Sequence, residues 1–381
     1  MKICLVAESY PPALGGVELA LQKIVEGLIA RGNEVWVVTS SWQRHDSSVE
    51  QSGPLRISRV KTLPFLHRLW FILFSLPTVL KASRWADVVQ GSTFAGGPAA
   101  FLGGWIAGKK KLLMVHEVWG KQWPVFESSQ VRSVFYRITE WIIVRLPFDH
   151  YIAVSNYTKR CLQSLGVAEE KISVIHHGDS TIDLAGVDRT AARKNLGYDV
   201  DDFVFLAFGR VGISKGFEYF SAAIPKLVDL PPRARFILIL SGYDRRIWER
   251  VRKSVVGIPE SRCRLLSSLP RAELAEYVSA ADCFVIPSLS EGFGFSAVES
   301  CNAGKIVVST DAGSLPEVIF GKHVFVKAGS TDALVQGCMR AFNGEVDVAP
   351  RKEFEWNQTV EKYLALYGSI IGAHFPDVDE C

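Results

Sequence analysis

Short apolar, β-branched runs alternate with helix-length segments through the first half of this chain, and then the pattern starts again. Residues 3–7, 34–39, 87–90, 111–116 and 150–155 read as strands, with a helical pattern over 17–31 directly after the first. Runs that are apolar throughout, rather than at every second position, are what strands buried on both faces of a parallel sheet look like. Parallel neighbours need a crossover, and a helix between successive strands supplies it. A second series follows at 203–209, 235–240, 262–266, 283–287 and 305–309, with helices expected over 216–228, 245–256, 271–280 and 295–303. Two series in 381 residues predict two doubly wound α/β domains rather than one core. The break falls near 180–200, where Asp179–Asp183 and the charged stretch 188–202 carry no strand pattern. We expect an N-terminal domain over 1–180, a second over 181–355, and a last amphipathic helix within 356–381 that crosses back onto the first. The carboxyl ends of both sheets are expected to face a shared cleft, where such sheets bind ligands.

Composition narrows the classes. Seven cysteines form an odd set without a C-x-x-C pair, mostly in apolar contexts, which reads as reduced structural thiols in a cytoplasmic protein. Met1–Ala7 reads as a buried strand rather than a signal peptide. Residues 65–80 are unusually apolar, but Arg68 and Pro77 interrupt them and they are too short to span a bilayer. They read either as a core helix or as a helix lying at a membrane surface, rimmed by Arg59, Lys61, Lys81 and Arg84. Residues 1–180 carry a net charge of +6 and residues 181–381 a net of −3. That asymmetry suits an acidic lipid surface or an anionic acceptor at the first domain. Nucleic acid is not expected, since no basic run exceeds Lys109–Lys111.

Four stretches carry chemistry. Glu291-Gly-Phe-Gly-Phe-Ser-Ala-Val-Glu299 follows a buried strand and runs into a helix, so its first carboxylate sits in the loop and its second inside the helix. Free backbone N–H groups at a helix N-terminus favour a phosphate, and a carboxylate on either side can hold hydroxyls. A nucleotide sugar has hydroxyls on both sides of a phosphate. Gly15-Gly16, after the first strand and before a helix, lets a ligand approach the backbone, and equally serves a plain tight turn. It is not G-x-G-x-x-G, which argues against a nicotinamide cofactor. Gly209-Arg210 and Lys215-Gly216 place two cations at a strand end, suited to a diphosphate leaving without a metal. His116, at another strand end, suits a sugar hydroxyl or a proton transfer, and a structural role equally; Glu117 beside it competes for the inward position. The D-x-D strings at 199–201 and 377–379 follow no buried strand, and no P-loop, G-x-S-x-G or H-E-x-x-H occurs, so no metal or cofactor site is expected.

Glu291 through Glu299 is similar to the E-x7-E motif of retaining glycosyltransferase family 4, and Arg210 with Lys215 resembles that family's diphosphate-binding pair. Gly15-Gly16, His116, the strand end at Ser155 and the stretch Ser309–Gly313 with Pro316-Glu317 fall in the family's order, so the resemblance covers the whole chain. It implies a GT-B architecture of two Rossmann-like domains. The donor, a UDP- or GDP-sugar, would be held by the second domain and a glycan or lipid-linked acceptor by the first. It further implies catalytic assignments at His116, Glu291, Arg210 and Lys215, and substrate contacts at Gly15, Gly16, Phe293, Gly294, Phe295, Ser296 and Glu299, the last on the ribose diol. Transfer would be metal-independent and would retain anomeric configuration, at the inner face of a membrane or free in the cytoplasm. Two stretches depart from the pattern, His177-Gly-Asp-Ser180 and Ser241-Gly-Tyr-Asp244. An epimerase acting on nucleotide sugars and a non-catalytic nucleotide-sugar-binding protein stand as the alternatives.

Overall fold

A computed structural model describes the chain except residues 14, 42–48, 64–65, 128, 181, 229–232, 243 and 373–381. The second D-x-D string and the end of the C-terminal segment therefore lie outside the described residues. The chain divides into two compact units, Met1–Gly178 with the segment from Phe354 onward, and Asp179–Glu353.

The first unit contains β1 (Lys2–Val6), β2 (Glu34–Ser41), β3 (Val49–Ser52), β4 (Leu55–Lys61), β5 (Val88–Ser92), β6 (Lys110–Val115), β7 (His150–Ala153) and β8 (Ile172–Val174). Their order in the sheet is β3-β4-β2-β1-β5-β6-β7-β8. Every pairing is parallel except β3 with β4. Central Leu5 faces Val37 on one side and Gln90 on the other. The order reverses direction between β1 and β5, which sets helices on both faces of a twisted sheet. The first helix, Gly16–Ala30, buries Ala20, Leu21, Ile24, Val25 and Leu28 at helical spacing. The C-terminal helix Trp356–Ile371 packs on it: a Cβ at Gly27 would overlap Val360, which explains the glycine at that crossing. Tyr367 donates its hydroxyl to Gln90 at 2.6 Å in the buried core.

The second unit contains β9 (Phe203–Arg210), β10 (Ala234–Ser241), β11 (Cys263–Ser267), β12 (Cys283–Ile286), β13 (Ile306–Thr310), β14 (Gly321–Val326) and β15 (Asp347–Ala349). They are ordered β11-β10-β9-β12-β13-β14-β15, parallel but for the last pair. Its core is aromatic at the centre, with Phe205 and Phe236 stacked at 5.3 Å. The stretch without a strand pattern forms a helix over Arg189–Leu196. Arg193, almost fully buried there, bonds Asp282 at 2.5 Å and the carbonyls of Val200 and Asp202. The first D-x-D string is part of this turn, with Asp201 paired to Arg233 at 2.6 Å. Among the described residues six cysteines are free thiols, five of them buried.

Two features differ from the sequence expectation. Both sheets end in an antiparallel edge pair, β3 with β4 and β14 with β15, that periodicity does not announce. The apolar segment near 65–80 divides its faces. As the helix His67–Trp85 it buries Phe71, Ser75, Val79, Ala82 and Ser83, while Leu66, Leu69, Leu73 and Phe74 stay exposed.

Candidate functional site

Loops at the carboxyl ends of β9 and β12 are stitched together in the second unit. Leu289 and Ser290 donate their N–H groups to the Ser214 carbonyl at 2.7 and 3.3 Å. Gly216 has φ +64° and lies so close to the Pro287 carbonyl that a Cβ could not be accommodated. A left-handed conformation and a backbone contact both demand glycine there. Gly216→Ala is expected to lower stability by roughly 2–4 kcal/mol through backbone strain and overlap. Urea denaturation checks it, and a loss under 0.5 kcal/mol would show that the two loops are not held together as described.

This stitching brings Lys215 to Glu291. The ammonium contacts both carboxylate oxygens, at 2.7 and 2.9 Å, and Ser288 donates its hydroxyl to Oε1 at 2.8 Å. A third loop, after β13, closes the other side: Gly313, at φ +62°, packs against the Glu291 backbone, and Ser314 donates its N–H to the Glu291 carbonyl at 3.0 Å. The Ser314 hydroxyl bonds the Phe293 carbonyl at 2.9 Å, and the Phe293 and Phe295 rings meet edge to face. Gly294, at φ +92°, caps the helix Phe295–Asn302, on whose first turn Ser296 lies. A buried carboxylate held by three loops at the ends of three parallel strands is a pre-organised group rather than a solvated surface charge.

Arg210, last in β9, is exposed and lies along Gly242; among the described residues it has no carboxylate partner. Gly242, against which it lies, also lines a cavity of about 520 Å³ with Leu240, Arg245, Trp248, Glu249 and Ser267. Tyr243, in one of the two departures from the family pattern, falls outside the described residues. Asp244 beside it caps the helix Arg245–Ser254, accepting from Arg246 N–H at 3.1 Å.

Glu299 does not join the Lys215–Glu291 cluster. It is buried in the helix after Gly294 and accepts from the Ser180 hydroxyl and from Arg271 Nη2, the latter at 3.1 Å. Burial pushes its carboxyl up to about 7, and outweighs these two bonds because the Arg271 side chain is largely exposed and screened. Neither Ser180 nor Arg271 stands out in the sequence. Ser180 belongs to the other departure from the family pattern, and Arg271 reads there only as a helix start.

In the first unit His116 follows β6. Its Nε2 lies 2.9 Å from the Ser92 hydroxyl and its N–H donates to Thr93 Oγ1 at 3.3 Å. Burial pulls the imidazole down to about 4, so it is neutral at pH 7 and suited to hydrogen bonding rather than to carrying charge. The buried His177 ring lies 5.8 Å away. The loop after His116 is pinned by Glu140, which accepts from the N–H groups of Trp119 and Gly120 at 3.0 and 2.6 Å and from Trp123 Nε1 at 3.1 Å. Gly15, with extended φ of 171°, precedes Gly16, the first residue of the Gly16–Ala30 helix.

Comparison with known proteins places these loops in a wider set. Residues 202–343 match the family model described as glycosyl transferases group 1, and residues 14–181 match that of glycosyltransferase family 4. An uncharacterized glycosyltransferase of Methanocaldococcus jannaschii is 25% identical over 96% of this chain and 98% of its own length. The GPI3 subunit of phosphatidylinositol N-acetylglucosaminyltransferase of Saccharomyces cerevisiae is 22% identical over 97% of this chain and 83% of its own. Among solved structures, sucrose-phosphate synthase of Thermosynechococcus elongatus superposes with a TM-score of 0.76 at 21% identity, covering 98% of this chain and 100% of that one. Anabaena HepE in complex with UDP-glucose superposes at 0.70 and 18% identity, over 97% and 95%.

Proposed function

The chain belongs to glycosyltransferase family 4 and has the GT-B fold, and on that premise we propose that it moves a hexose from a UDP- or GDP-sugar to a hydroxyl of a glycan or lipid-linked acceptor. The observation that carries this reading is the Lys215–Glu291–Ser288 cluster, with unneutralised Arg210 at the end of the same strand series. Two relatives fit it: HepE was solved with UDP-glucose, and the yeast relative is named for a phosphatidylinositol acceptor.

Lys215 and Arg210 would neutralise the diphosphate, and the Glu291 carboxylate, released from Lys215, would accept from sugar hydroxyls. Phe293, Gly294, Phe295 and Ser296 would contact sugar and phosphate through their backbone. Glu299 would take the ribose diol in place of Ser180. His116, as a neutral imidazole, would bond a hydroxyl of the sugar, and Gly15 and Gly16 would leave room near the phosphate. In transfer the bond from the anomeric carbon to the diphosphate oxygen breaks and the acceptor oxygen bonds the same face of that carbon, retaining configuration. The acceptor proton passes to the departing diphosphate. Positioning and charge stabilisation do the work without a metal. We place the enzyme in the cytoplasm, with the exposed Leu69 and Leu73 of the 65–80 segment available for membrane contact.

A thermal-shift screen of UDP, GDP, ADP and their sugars in a chelator tests the reading. One nucleoside diphosphate is expected to raise the Tm by mass action, by the equivalent of ~2.7 kcal/mol at a hundredfold excess over Kd. If none of them stabilises the protein, the donor assignment fails.

A further inference from the structure

The helix Gln130–Arg145 presents a second apolar face that nothing among the described residues covers. Val131, Val134, Phe135, Ile138, Trp141 and Ile142 are all exposed, Val131 at 81%. At 100° per residue they fall within an arc of about 120°. The opposite face, with Ser133, Glu140, Ile143 and Val144, is buried in the first unit. Arg132 lies about 60° beyond one edge of the exposed arc and Arg137 about 40° beyond the other. Arg145 closes the helix, its guanidinium stacked 4.6 Å from the Trp141 ring. The only acid on this helix is Glu140, which is turned inward and bonded to the loop after His116. Arg132 is partly neutralised by Glu127 at 3.0 Å, while Arg137 has no carboxylate partner among the described residues.

We propose that this face docks the protein on an anionic lipid surface, with the helix lying in the plane of the headgroups. An apolar arc edged by arginines on both sides, with aromatic side chains in it, matches an interfacial helix. Its aliphatic groups enter the acyl boundary, Trp141 and Phe135 sit at headgroup depth, and the guanidinium groups meet lipid phosphates. The broad apolar arc with its aromatic side chains, the absence of any outward-facing acid on the helix and the unpaired Arg137 at its edge favour anionic headgroups, and an acidic protein surface is the occupant the vesicle experiment distinguishes. No helix among the described residues is long and apolar enough to cross a membrane, so the contact is peripheral. Glu140 ties the docked helix to the loop that follows His116, the residue assigned above to the sugar. The docking itself stands independently of that assignment and of any contact through the 65–80 segment.

Co-sedimentation of the full chain with phosphatidylcholine vesicles, with and without phosphatidylglycerol, tests it. Association is expected only with the anionic vesicles and to weaken with salt. Phe135→Ser with Ile138→Ser is expected to reduce it at least about tenfold, and Arg137→Glu to remove most of its salt-sensitive part. All these positions are exposed, so the Tm and the nucleotide-induced Tm shift are expected to stay unchanged. That separates failure of docking from failure of the donor assignment. The proposal is overturned if the wild-type chain ignores anionic vesicles at low salt, or if the Phe135/Ile138 variant binds as well as wild type. It is equally overturned if that substitution only converts a dimer to a monomer in a chain that does not bind vesicles.

Discussion

Lys215→Ala is expected to lower kcat/KM for sugar transfer by about 10² to 10³, the loss seen when one pre-positioned charge-stabilising donor is taken from a developing anion. Lys215 is the cation already delivered to the buried Glu291 carboxylate, and the two loops that hold it there leave little freedom for another group to replace it. A structural consequence accompanies the kinetic one. Glu291 is 7% exposed and would keep only the Ser288 hydroxyl, while Lys215, at 31%, is partly solvated in the pair. The stability loss is therefore moderate, about 1–2 kcal/mol rather than that of a fully buried broken pair. The two effects separate in a double variant. Lys215→Ala with Glu291→Gln removes the uncompensated charge and should recover most of the stability, while transfer stays as slow or slower. If the single variant turns over within threefold of wild type, Lys215 holds the fold together and does not act on the diphosphate.

The sequence discloses most of what is buried on two faces and little of what is defined by pairing. Ile3–Val6 of β1, Phe203–Phe208 of β9 and the whole of β12 are unbroken apolar runs, because a central parallel strand has no solvent side. β3 has all four residues exposed and β15 is three residues long with two of them exposed, so each exists only because a neighbour offers its edge. The candidate site divides the same way. Glu291, Lys215, Arg210 and Glu299 are recognisable by residue type at a strand end or helix start. The groups that hold Glu299 in place come from afar: Ser180 is 119 residues away and Arg271 is 28. Side chains whose role is to satisfy a buried charge carry no local pattern, since the requirement is set by the fold around the charge. The exposed arc of Gln130–Arg145 is hidden for the opposite reason: apolar residues surround much of that helix, and only burial shows which of them face outward.

Glu299 is expected to tie stability and nucleotide binding to pH with opposite slopes. Its folded value of about 7 lies above the ordinary 4.5, so between those values the folded chain holds a proton that the unfolded chain has released. Its contribution to stability is thus fully present below pH 4.5 and is lost as pH rises through 7, by an upper bound of about 3 kcal/mol. A ribose diol donates to the carboxylate and favours the ionised form, so nucleotide affinity should rise over the same interval in which the apo protein weakens. Glu299→Gln is neutral at every pH and should flatten both profiles. Glu299→Ala should cost about 10- to 100-fold in nucleoside-diphosphate affinity at pH 8, the worth of charge-assisted hydrogen bonds. Calorimetry from pH 5 to 8, with thermal denaturation of the apo protein in the same buffers, measures both. Parallel slopes would mean that Glu299 acts only through Ser180 and Arg271, holding the Asp179–Ser180 stretch, and never meets the ribose. Affinity that is independent of pH in the wild type, and unchanged in Glu299→Ala, would remove it from the binding site altogether.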